Sequence, residues 1–223
     1  MKKTILILLL GFSSMVYSQE IVVDLDNFTE AEITKGLTVN FTHGEENRAS
    51  ITGVSRDKVN LQVKNGVLKV STDLDHLWND DNTIVNISYK QLLKVEAKQN
   101  AKIDLCGKIK QPLFQIRVQE GSDVKAHLDV ENFYASVVTG GNLMVIGNAI
   151  KQDIDVKAAG DFKGENLIGS EVAINVVGGG TASIFSQAYV NAKVRAGGTI
   201  YVYGNPKKID ETTTFGGTIK KIN

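Results

Sequence analysis

The sequence predicts an all-β protein: a single-stranded β-helix (β-solenoid) with rungs of about 19 residues, preceded by an antiparallel or mixed β region that caps or extends it. Three observations predict it. Glycine or small-residue pairs recur through the second half, at Glu120-Gly121, Gly140-Gly141, Ala159-Gly160, Gly179-Gly180, Gly197-Gly198 and Gly216-Gly217. Counted from the second member of each pair, the steps are 20, 19, 20, 18 and 19 residues. A fixed period of this size marks stacked coils, each copy one turn laid on the last. Apolar and polar residues alternate around each pair, as in strands with one buried face. Helical periodicity is absent from this half, and β-branched residues are abundant.

Within the repeat, Val137, Val156, Val176 and Val194 stand four residues before the reference glycine, with Thr213 in the last copy. Ala135, Ile154, Ile174 and Ala192 stand six before it. Between these lie Ser136, Asp155, Asn175, Lys193 and Thr212. After the glycines come Leu143, Phe162, Ile200 and Ile219, then Val145, Ile184 and Val202. Each turn therefore holds at least two short strands joined at a corner where glycine can take φ > 0 without a Cβ clash. Asn100, 21 residues before Gly121, begins a degenerate first copy. Residues 98–223 give about six rungs, a rod roughly 25–30 Å long at about 4.8 Å per rung.

Residues 1–18 read as a secretory signal peptide. Met1-Lys2-Lys3 is basic, Thr4 to Met15 is almost unbroken apolar chain, and Val16-Tyr17-Ser18 offers a cleavage site before Gln19. The apolar run falls well short of the roughly 20 residues that span a bilayer. Cleavage leaves 205 of 223 residues, with 25 − 2 = 23 basic side chains against 25 acidic ones. That balance makes no field to attract nucleic acid or anionic lipid. Cys106 is the sole cysteine. It forms no intramolecular disulfide, and beside Ile103 and Leu105 it is expected to be a small buried filler.

Residues 19–97 form an N-terminal β region outside the glycine register. Ile21-Val22-Val23 with Leu25 is a first strand, and Ile33, Leu37, Val39 and Phe41 alternate in a second. Two alternating runs flank Asn65-Gly66, the mark of a hairpin with a two-residue type I′ turn. Ile84, Ile87 and Tyr89 mark another strand, and Leu92 to Val95 leads into the solenoid. This region is placed to cover the first rung, whose free edge would recruit other chains. Lys207-Lys208 and Lys220-Lys221 put charge on the last turns to the same effect.

The segments Ile200-Tyr201-Val202-Tyr203-Gly204-Asn205-Pro206-Lys207 and Phe215-Gly216-Gly217-Thr218-Ile219 resemble the C-terminal signature of the putative auto-transporter adhesin head GIN domain family. Asn65-Gly66-Val67-Leu68-Lys69-Val70 is similar to that family's N-terminal hairpin. The resemblance runs over roughly residues 21–222. It departs from the family pattern in its Gly-Gly and Ala-Gly corners. It implies a β-helix-like fold and a surface or periplasmic location, and it brings no catalytic residues.

The stretch from Asp73 to Asn82 has the most distinctive composition. Asp73, Asp75, Asp80 and Asp81 are hard oxygen ligands of the kind Ca²⁺ takes, His76 lies among them, and Trp78 could stack on a sugar. Its spacing matches no calcium loop, so the identity of any metal stays open, and a solvated hairpin loop is the alternative. The ladder Ser136, Asp155, Asn175, Lys193, Thr212 would run up one outer face. There Asp155 and Lys193 would lie two rungs apart, about 10 Å. A polysaccharide lyase needs several clustered carboxylates, and this ladder has one. His43, His76 and His127 are scattered, and no nucleophile elbow, phosphate loop or zinc spacing occurs.

The expected function is an exported, non-catalytic cell-envelope module, adhesin-like, without a cofactor. Its place is the periplasm, the outer-membrane surface or the medium. Its partners are extracellular carbohydrate, an envelope protein or a second copy of the chain. The alternative is a carbohydrate-active lyase or hydrolase with its site near residues 73–81.

Overall fold

The structure, a computed structural model, describes residues 20–73 and 82–222. Its short N-terminal strands are β1 (Ile21–Asp24), β2 (Glu30–Ile33), β3 (Thr38–His43), β4 (Arg48–Thr52), β5 (Val59–Lys64), β6 (Val67–Thr72), β7 (Ile84–Tyr89) and β8 (Lys94–Ala97). Five long strands follow: β9 (Lys102–Gln119), β10 (Asp123–Val138), β11 (Asn142–Lys157), β12 (Asp161–Val177) and β13 (Thr181–Arg195). β14 (Thr199–Tyr203), β15 (Lys208–Thr214) and β16 (Thr218–Lys221) close the chain. All join one hydrogen-bonded sheet coiled as a solenoid of about seven turns. The front of β9 lies parallel on β3 and its back half on β8. Each long strand therefore belongs to two faces, with a bend between them.

The valine column is in register. Val118, Val137, Val156, Val176 and Val194 are successive partners, ending on Thr213. All five valines are at most 1% exposed, and burying each stabilises the fold by about 2 kcal/mol. The column continues below Ala97, through Ile33 to Val70. So β2 and β3, joined at Lys35-Gly36, make a further parallel rung within the N-terminal region. Beyond that rung the pairing turns antiparallel at β4, β1 and β5. The hairpin forms as expected, with Asn65 and Gly66 at φ 52° and 75°.

The two residues of a glycine pair do different work. Thr139-Gly140 and Ala158-Ala159 are the left-handed pairs of their corners, at φ 49°, 68°, 48° and 60°. The next residue is glycine for another reason: a Cβ on Gly141 would stand 2.7 Å from the Val118 carbonyl oxygen of the rung below. Corner hydrogen bonds from Asn142 N to Ser122 O and Asp161 N to Gly141 O make Ser122 the equivalent of Gly141. Gly121 thus stands one place earlier in its corner than Gly141, Gly160, Gly180, Gly198 and Gly217 do in theirs. Measured between equivalent atoms, from Ser122 onward, the steps are 19, 19, 20, 18 and 19.

Every register shift among the long strands lies away from these corners. Cys106-Gly107 is an extra pair opposite Ala126/His127, and Glu165 is an extra residue opposite Met144/Ile146. These bulges account for the rungs longer than 19. Polar side chains stitch the bend. Gln152 Nε2 donates to Ala149 O and Leu167 O, and Ser186 Oγ to Ser170 O and Tyr189 O.

The C-terminal rung is closed differently. Glu211 follows Ala192, and Lys221 follows Val202, at inward positions. Their side chains meet at 3.3 Å across the end of the core. An inward charge pair on edge strands discourages pairing with another chain. One expectation is corrected: Cys106 is exposed. Ile103 and Leu105 both point inward, and alternation plus the bulge turns the thiol outward.

Candidate functional site

On the face built from the back halves of the long strands, outward side chains fall into columns one rung apart. One column runs Glu96, Arg117, Ser136, Asp155, Asn175, Lys193, Thr212, so the polar ladder is in register. Two residues earlier along each strand runs Lys94, Gln115, Tyr134, Asp153. The first four rungs of these columns line a groove of about 380 Å³.

Tyr134 is 43% exposed near the centre of this grid. Around it the donors and acceptors are partly engaged. Lys94 Nζ meets Glu30 at 3.2 Å, and Glu96 meets Lys98 at 3.2 Å and Arg117 at 3.5 Å. Burial works against the Lys98 charge, but Glu96 and Glu32 outweigh it and raise the pKa. Asp155 accepts from Asn175 Nδ2 at 2.9 Å and meets Lys157 at 3.2 Å. Asp153 has no protein partner among the described residues. An exposed ring flanked by a free carboxylate, an amide and a guanidinium can stack on a sugar ring and bond its hydroxyls.

The opposite face carries a second groove, about 430 Å³, where Lys102 and Lys125 alternate with Asp104 and Asp123 in register. Its exposed apolar side chain is Met144, over the buried Ile103 and Val124.

The other sequence-derived candidates lie at separate places in the fold or outside the described residues. Asp73 directly follows β6, exposed, and accepts from Asn60 Nδ2 at 3.0 Å. Asp75, His76, Trp78, Asp80 and Asp81 lie outside the described residues. His43 ends β3 and His127 lies on the second face. Asp155 and Lys193 have Asn175 between them. Among the described residues no group of three or more His, Cys, Asp or Glu side chains is placed to hold a metal ion. Nor is any helix there long and apolar enough to cross a membrane. Sequence reading missed Tyr134. The available signal was its place two residues before Ser136, on the same side of the strand.

The profile of the family described as "Putative auto-transporter adhesin, head GIN domain" matches residues 27–206. No curated protein matches the chain. The fold is similar to that of a putative adhesin from Bacteroides fragilis, with TM-score 0.83 and 19% identity over 92% of this chain and 98% of the other. A putative adhesin from Parabacteroides distasonis gives 0.74 and 17%, over 92% and 96%. A putative lipid binding protein from the same organism gives 0.71 and 15%, over 92% and 96%.

Proposed function

From the premise that this chain belongs to the putative auto-transporter adhesin, head GIN domain family, we propose that it is an exported, non-catalytic envelope module that binds carbohydrate on its outer sheet face. The signal-peptide pattern of residues 1–18 supports export to the periplasm, the outer-membrane surface or the medium. The observation that carries the binding assignment is the grid around Tyr134, a half-exposed ring beside the unengaged Asp153 carboxylate. A rung spacing of about 4.8 Å sets one outward side chain per column at regular intervals along the rod, which suits an extended ligand. The segment from Asp73 to Asp81 is a second candidate contact, with Trp78 as its ring and Asp75, His76, Asp80 and Asp81 as polar partners.

The test is a neutral-glycan array followed by titration of the best binder. Tyr134→Ala should weaken binding by about fivefold or more, since one stacked ring contributes about 1–3 kcal/mol. Asp153→Asn should weaken it less. Unchanged affinity in Tyr134→Ala removes this groove from the proposal. Cleavage of the glycan, abolished by Asp80→Ala or Asp81→Ala, would replace the binding reading with a lyase or hydrolase.

A further inference from the structure

A different concavity carries a different chemistry. Pairing of β9 with β3 ends at Cys106, and pairing with β8 resumes only at Gln115. Between them, residues 107–114 have a strand partner on the β10 side alone. The open side is a cleft of about 310 Å³. Lys108 and Lys110 enter it from β9, two residues apart, and Lys90 enters from the link after β7. His43 packs edge-on against Tyr89, ring centres 5.6 Å apart, to form one wall. Gln111 Nε2 donates to Leu92 O and Leu113 O, tying the link to the strand beneath.

Among the described residues no carboxylate lines this cleft. None of the three ammonium groups has an ion-pair partner among the described residues. Both face grooves, by contrast, set acids against their bases. A chain of zero formal net charge therefore gathers three lysines without an ion pair around one hollow, with Asp129 beside Lys110 on the next rung as the neighbouring carboxylate. The Cys106-Gly107 bulge, with Gly107 at φ 84°, sets the pairing of Lys108 onward. Bulges commonly re-aim side chains beside functional sites. The cleft is larger than a bare tetrahedral ion needs, and the exposed ring of His43 gives it a flat wall above the buried Leu92 and Ile109.

We propose that this cleft binds a phosphate or sulfate ester carried on a saccharide. Lys90, Lys108 and Lys110 hold the oxyanion, and the exposed His43 ring packs against the sugar ring. This site is separate from the Tyr134 groove, and its failure leaves that groove untouched.

The test is an NMR titration of the full-length mature protein at low salt with glucose 6-phosphate, glucose 6-sulfate, glucose and inorganic phosphate. The esters should shift amides of Lys90, Lys108, Lys110 and Gln111, and glucose should not. Lys108→Ala and Lys110→Ala should each weaken ester binding about 3–10-fold, and the triple variant with Lys90→Ala should abolish it. Lys102→Ala and Lys125→Ala, lysines of the balanced groove, should change nothing. Circular dichroism melts establish that each variant is folded. Esters that bind no better than glucose, or a folded triple variant that binds as the parent does, would overturn the proposal. Inorganic phosphate binding as tightly as the esters would reduce the site to a free-ion site. Binding to phosphatidylglycerol vesicles without ester binding would assign it to a lipid headgroup. Either result removes the saccharide.

Discussion

Gly160→Ala should be a strongly damaging single-methyl change in the central corners, for steric reasons alone. Its Cβ would stand 2.5 Å from Val137 O and 2.9 Å from Val137 C. Ordinary contact begins near 3.4 Å, so the rungs must part by about 0.9 Å, the difference 3.4 − 2.5, against a spacing of about 4.8 Å. A backbone carbonyl cannot rotate aside as a side chain can, so the cost lies near the upper end of overpacking, about 3 kcal/mol. For a chain this size that lowers the melting temperature by about 6–12 °C. Gly140→Ala meets nothing within 4 Å, and only its φ of 68° penalises it, by about 1 kcal/mol or 2–4 °C. Ala159→Gly reverses the sign. At φ 60° alanine carries about 1–2 kcal/mol of strain, while glycine gives back about 0.5–1 through the unfolded chain. A rise of about 1–3 °C follows. Scanning calorimetry of the three variants checks the order. A Gly160→Ala melt within about 1 °C of the parent, or an Ala159→Gly variant that melts lower, would refute the division of labour between corner positions.

Other perturbations test the ends and the bulge. Replacing both Glu211 and Lys221 with valine leaves Ile209 and Ile219 on an apolar end, and sedimentation velocity should show dimers or larger species; a parent-like profile would remove the anti-association role of the pair. Burial and then the Asp104 charge raise the Cys106 thiol above its ordinary value. A neutral-pH disulfide-exchange assay should therefore find it slower than free cysteine despite its exposure, and Asp104→Asn should speed it about 2–5-fold. Asp210 is held below its ordinary value by hydrogen bonds from Tyr189 at 2.7 Å and Lys208 at 3.0 Å. Its folded-state pKa lies below the unfolded one, so its stabilisation is present above the unfolded value and fades as pH falls through the folded one. Hydrogen-exchange protection factors in β15, corrected for the intrinsic rate, should fall on acidification, and Tyr189→Phe should flatten that fall.

The central rungs were legible because one buried column repeats with a fixed step. The valines from Val137 to Val194 announce their own stacking. Gly121 was ambiguous because Ser122 holds the close-approach place, and a serine carries no period signal. The rung formed by β2 and β3 was hidden because four strands intervene before its neighbour, and its corner is Lys35-Gly36 rather than a glycine pair. The bend was hidden for a different reason. It is closed by whichever side chain reaches a carbonyl: Gln111, Gln152 or Ser186. Tyr134 and Asp153 lie 19 residues apart and become neighbours only when the coil closes. The lysine cleft gathers residues from three segments and follows from no local pattern.

The contrast between the two edges of each coil has an evolutionary reading. At the glycine corner, one added methyl meets backbone, so mutation there is filtered severely. At the bend, one rung absorbs two surplus residues and another drops two relative to its predecessor, without disturbing the valines. Insertions, deletions and new chemistry can therefore accumulate along a single seam. A lineage could rewrite what this rod recognises while leaving untouched the reason it folds.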